Sequence, residues 1–169
     1  MTRPLVPALL VLALVFAATA APAQEARSST GIVGSYVLAS RTLADGTEVL
    51  PPAVQGFLTY TADGMRNFNV VWDNPDGTRT SISYLAAYTL EDDRYCEQPM
   101  LWIQQNLMDT PGLSTDAPEV KTTDCGTVTV TAEAVSFPVP GVPVTLTFDA
   151  AGVTAVAEPG FTDHWERVD

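Results

Sequence analysis

The chain is poor in the groups that most enzymes use. Among 169 residues it holds one histidine, His164, and two cysteines, Cys96 and Cys125. No Gly-x-Ser-x-Gly motif surrounds any serine, so a nucleophile elbow is excluded. There is no CxxC and no histidine near either cysteine, which leaves too little for a metal site. Basic residues are also scarce, 8 against 20 acidic ones, for a net charge of −12. A surface of that sign repels phosphates, which argues against nucleic acid and against anionic membranes as partners. Beyond the leader, no long segment has a clean helical period. Only "MLWIQQNLM" (100–108) is ambiguous between a short helix and a strand.

The N-terminus has the make-up of a secretory signal peptide. Arg3 precedes an apolar run from Leu5 to Ala18, and Ala21-Pro22-Ala23 supplies small residues before an expected cut after Ala23. An uncleaved anchor is the alternative, but the run is short against the roughly 20 residues of a membrane span. The expected organisation is therefore a signal peptide at 1–23, a flexible lead-in at 24–30 and one domain at 31–169, secreted or periplasmic. Loss of Arg3 leaves seven basic and twenty acidic residues, a net charge of −13. In an oxidising compartment an even cysteine pair forms a disulfide, so Cys96 and Cys125 are read as bonded. On the chain-entropy argument that bond stabilises by roughly 3–4 kcal/mol.

The domain alternates apolar and polar residues between turn signals. Asp-Gly occurs at 45–46, 63–64 and 76–77, and Ala-Gly at 151–152, each between strand-like runs. Strands are expected at 34–43, 55–62, 65–72, 78–90 and 126–137, in "VPVTLTFDA", near 153–157 and in the closing "FTDHWERV". Ile82, Tyr84, Ala86, Tyr88 and Leu90 share one strand face, as do Val144, Leu146 and Phe148. The run 126–137 is read as one strand with Val128, Val130, Ala132 and Ala134 on one side. Sequential hairpins of this kind predict an all-β, up-and-down antiparallel barrel, whose closure removes exposed edges.

"GSYVLAS", "DGTEVLP", "QGFLTYTADGMRNFNV" and the final "DHWERV" resemble the bacterial lipocalin-like domain family. Gly56, Leu58, Tyr60, Asp63, Gly64 and Met65 carry its middle motif, and Trp165, Glu166 and Arg167 its last. The likeness covers about half of the mature chain, and the central "YLAAYTLEDDRYC" departs from the pattern. It implies a barrel of eight to ten strands with an interior able to hold a small apolar ligand, and no reaction. It also implies that Arg167 on the last strand packs over Tyr36 on the first, closing the barrel.

The candidate ligand contacts are Leu58, Tyr60, Phe68, Tyr84, Tyr88, Trp102 and Phe148. The alternative is that these residues simply fill the core. In the last strand Phe161, Asp163, Trp165 and Arg167 share one face, while His164 falls on the other with Glu166 and is read as a surface or rim residue. "DNPDG" (73–77) lacks the ligand spacing of a calcium loop and reads as a turn. No catalytic residue, metal or cofactor is assigned. The function expected is non-catalytic binding of a small hydrophobic molecule. An envelope protein with a filled barrel and a binding loop at 109–118 is the rival. A cyclase or isomerase needing few polar groups stays open.

Overall fold

The computed structural model describes residues 31–91, 93–106 and 123–169. The expected signal peptide, the lead-in and the loop at 109–118 lie outside these residues. Among the described residues there is no helix. All strands join one antiparallel sheet that curls into a nearly closed up-and-down barrel.

The strands are β1 (Gly34–Leu43), β2 (Glu48–Val49), β3 (Val54–Tyr60), β4 (Met65–Asp73), β5 (Arg79–Glu91) and β6 (Arg94–Asn106). They are followed by β7 (Asp124–Thr127), β8 (Thr129–Val130), β9 (Val135–Pro138), β10 (Val144–Phe148), β11 (Gly152–Ala157) and β12 (Phe161–Arg167). Apart from β2, which pairs only with β1, and the unpaired neighbours β7 and β8, chain neighbours pair in turn, and β1 lies between β3 and β12, so the first and last long strands are joined by a ladder. The Asp-Gly corners turn as their sequence predicts. Asp45 and Asp76 each accept the backbone N–H two residues on, at 2.9 and 3.0 Å.

Three features resolve or depart from the expectations. The ambiguous 100–108 run is strand as far as Asn106, the last residue of β6. The single strand expected at 126–137 is instead the three short strands β7, β8 and β9, and with β2 as well the described residues hold twelve strands rather than eight to ten. Thr131 is the cause: its hydroxyl accepts from the backbone of Ala134, and its N–H donates to the Ala134 carbonyl, so the chain turns back. Alternation therefore fails here, and Val128 is buried while Val130 is exposed. Third, two bulges change which side chains face inward. In β1 the register shifts between Leu38 and Ser40, so Tyr36 and Leu38 point inward and then Arg41 does. In β6, Leu85 opposes Leu101 while Ala86 opposes Pro99, leaving Met100 as the extra residue.

Cys96 and Cys125 are direct partners across β6 and β7 and form a disulfide. Cys96 lies between the inward-facing Tyr95 and Glu97, so the bond ties the outer side of the wall. The remaining seam lies between β7 and β9. There a side chain at Gly126 would sit 2.7–2.8 Å from Pro138, which fixes glycine at the point of closest approach.

Candidate functional site

The interior has two parts. One is an interlocked aromatic cluster. Tyr95 stacks on Phe137 with centroids 3.9 Å apart, Phe137 on Phe148 at 5.6 Å, and Tyr60 meets Phe148 and Tyr88 edge-on at 5.3 and 5.1 Å. Tyr36 closes the group against Phe148. Such edge and offset contacts fill space and add about 0.5–1.5 kcal/mol per pair beyond burial.

The other part is a cavity of about 650 Å³. Its walls come from β1, β3 to β6 and β10 to β12, with segment 139–142 and Thr123–Asp124 at one side. A cross-strand row runs through it: Leu58 pairs with Phe68, Phe68 with Tyr84, and Tyr84 with Trp102. All four face inward because they occupy matching positions on successive strands. For Trp102 this requires the Met100 bulge. Trp165 lines the same space, and its ring lies directly over Gly56. A Cβ at position 56 would fall 2.5 Å from Trp165 Cη2, so only glycine leaves room for the indole.

The seven candidate contacts thus divide. Leu58, Phe68, Tyr84 and Trp102 line the cavity, whereas Tyr60, Tyr88 and Phe148 are in the packed aromatic cluster. For all but Trp102, which also needs the Met100 bulge, the inward direction follows the alternation read from the sequence. Which inward residues meet open space depends on packing across the barrel, which alternation does not encode. Tyr36 and Arg167 are direct partners on β1 and β12, and the Arg167 Cζ lies 5.8 Å from the Tyr36 ring centroid. Arg167 also donates to the Val33 carbonyl at 2.8 Å, and the Tyr36 hydroxyl donates to the Ile32 carbonyl at 3.0 Å. His164 is exposed on the outside of β12, opposite Ser40 and Thr154. Among the described residues, no group of three or more His, Cys, Asp or Glu side chains is arranged to hold a metal ion.

Two buried ion pairs are the polar equipment of the cavity, and the sequence reading missed both. Arg66 Nη1 donates to Glu97 Oε1 at 2.6 Å, and Arg41 binds Asp163 through two parallel bonds of 2.6 and 2.8 Å. All four side chains are at most 7 % exposed. Glu97 also accepts the hydroxyls of Tyr84, at 2.7 Å, and of Tyr95. The Tyr95 hydroxyl in turn lies 3.3 Å from that of Tyr60. Arg66 is further surrounded by the rings of Tyr60, Phe68 and Tyr84, and Arg41 lies 3.9 Å over Phe161 and 5.1 Å from Trp72.

Burial opposes the Arg66 charge, but the acidic groups around it, the Glu97 carboxylate among them, outweigh it and hold the guanidinium above its ordinary range. Burial raises the Tyr60, Tyr84 and Tyr95 phenols, so they stay protonated donors. Asp163 is also raised by burial, with Arg41 pulling in the opposite direction. The signal for these pairs was partly present. "MRNFNVVW" places Arg66 in phase with Phe68, Val70 and Trp72, and "FTDHW" places Asp163 in phase with Trp165. Arg41 was hidden by the bulge before it.

The arrangement can hold a molecule of roughly twenty non-hydrogen atoms, at about 30 Å³ each. Its walls are mostly apolar, and its donors are fixed by packing, the combination found in small-molecule sites. Comparison of the chain with protein-family models, with curated proteins and with solved structures gave no match.

Proposed function

We propose that the domain is an exported, lipocalin-like barrel that binds a small hydrophobic molecule and catalyses no reaction of its own. The observation that carries this reading is the cavity of about 650 Å³ inside the barrel, lined by Leu58, Phe68, Val70, Ile82, Trp102 and Trp165 around two ion pairs. A filled barrel acting through its surface would have no use for such a space. Export is supported by the Cys96–Cys125 disulfide, a bond that persists in oxidising compartments, together with the signal-like leader. Burying about 300 Å² of apolar ligand surface would favour binding by roughly 7 kcal/mol, before the cost of immobilising the ligand.

Native mass spectrometry of residues 24–169, recovered from an oxidising compartment, tests the reading. The expected result is a reproducible extra mass that is released on denaturation. It should be lost in a folded Leu58→Trp variant, whose larger side chain occupies the cavity. A bare mass that stays bare through a panel of lipids and hydrophobic metabolites would overturn it.

A further inference from the structure

The polar groups of the cavity are unevenly matched, and we infer from this that the ligand is electrically neutral and presents a carbonyl-type oxygen to Arg66. The inference rests on the binding reading above and narrows it to one chemical class.

Donors exceed acceptors at the cavity wall. An arginine carries five N–H groups in a fixed fork. Arg41 directs two of its nitrogens to Asp163, and Arg66 directs one to Glu97. Arg66 lines the cavity among the rings of Tyr60, Phe68 and Tyr84, and Arg66 Nε and Trp165 Nε1 are buried with no hydrogen-bond partner among the described residues. The carboxylates are already engaged. Glu97 accepts two donors on one oxygen and one on the other, and each Asp163 oxygen accepts one arginine nitrogen. A ligand oxygen that accepts therefore finds buried donors without partners, whereas an amine meets carboxylate oxygens that each already accept at least one hydrogen bond.

Charge points the same way. Two guanidinium groups and two carboxylates sum to zero inside the cavity, and Asp124 adds a negative group beside it. The chain as a whole carries −12. An anion would be repelled on approach and would meet no uncompensated positive charge on arrival. A cation could meet Asp124 at the edge, but to reach Glu97 or Asp163 it would have to displace an arginine, which leaves a buried charge unpaired. A ketone, ester, lactone or quinone oxygen on an apolar body meets neither obstacle.

The test uses the mature chain and three probes of equal chain length: 2-dodecanone labelled with ¹³C at the carbonyl, dodecanoate and dodecylammonium. The ketone is expected to bind at least tenfold more tightly than either ion, as a charge-assisted hydrogen bond permits. Its carbonyl stretch, read by infrared difference spectroscopy, is expected to fall below its frequency in water. In the paired variant Arg66→Met/Glu97→Leu, which leaves no buried charge alone, the ketone should lose about tenfold in affinity and its stretch should rise to the value in alkane. If that variant fails to fold, the frequency in the unaltered protein decides. Tighter binding of either ion, or an alkane-like stretch in the unaltered protein, overturns this inference and leaves the binding reading standing. Failure of all three probes to bind overturns this inference, and the native mass measurement decides the binding reading by itself.

Discussion

The two parts of the barrel interior use similar residues to opposite ends. In the packed part, rings at Tyr36, Tyr60, Tyr88, Tyr95, Phe137 and Phe148 interlock at centroid distances of 3.9 to 6.3 Å. In the hollow part the rings meet in pairs, Phe68 with Trp165 at 5.9 Å and Tyr84 with Trp102 at 5.6 Å, and smaller side chains such as Val70, Val144, Leu146 and Ala155 complete the wall around open space. The boundary between the parts is polar. Glu97 takes hydroxyls from Tyr84 and Tyr95, and Arg66 spans from Glu97 to the rings of Tyr60 and Phe68. Aromatic content alone does not decide whether a small barrel is full. What decides it is whether the rings gather into one interlocked group or meet only in pairs.

The sharpest way to break this division is at its boundary. Arg66→Met leaves Glu97 buried without its cation and should cost about 3–5 kcal/mol in urea denaturation, while Arg66→Met/Glu97→Leu should recover most of that loss. Next comes a matched pair of truncations. Phe137→Ala opens a void among interlocked rings and should cost about 3–5 kcal/mol, whereas Phe68→Ala, beside existing space, should cost less than half as much. Equal losses would mean the two parts are equally packed in solution.

A pH effect separates the folded chain from the unfolded one. Burial, with added repulsion from Asp63, raises the Tyr88 phenol to about 12, and it raises Tyr60, Tyr84 and Tyr95 as well. Unfolded tyrosines ionise near 10, so above that pH the unfolded state loses its protons first. The stability from keeping these phenols neutral is whole below about pH 10 and falls as the pH rises through about 12. Denaturation midpoints measured across that window should decline, and the decline should be shallower in Tyr88→Phe. The smallest effect belongs to the outer rim. Arg167→Ala removes the contact over Tyr36 and should lower stability by about 0.5–1 kcal/mol, given that Arg167 is half exposed, with ligand affinity unchanged.

Much of this fold was legible in the sequence because period-two alternation and Asp-Gly corners are local signals. β1 was read with its observed bounds, and β4 and β5 to within a residue. The reading failed where a local signal was ambiguous. "TVTVTAEAV" alternates like one strand, yet the Thr131 hydroxyl turns the chain. It also failed where an inward position held a charge. Arg66 and Asp163 were in phase with their apolar neighbours, but a guanidinium is stable inside only if a carboxylate from a distant strand meets it. Arg66 and Glu97 are 31 positions apart, and Arg41 and Asp163 are 122. No single-strand pattern carries that information. The same limit explains why Tyr60 and Phe68, both inward, ended in different parts of the interior.

The Met100 bulge works as a parity bit for the rest of β6. Upstream of it the odd residues Tyr95, Glu97 and Pro99 face inward, and downstream the even ones do, beginning with Trp102 opposite Tyr84. Taking Met100 into the ladder as an ordinary paired residue would not alter the cavity by degrees. It would exchange the two sides of the strand from that point on, presenting Leu101 and Ile103 to the interior and Trp102 to water. A change of frame by one residue thus rewrites the lining in a single step and leaves every other strand as it was. In this barrel the coarse choice of what the wall displays is digital, and only the fine choice is made by substitution.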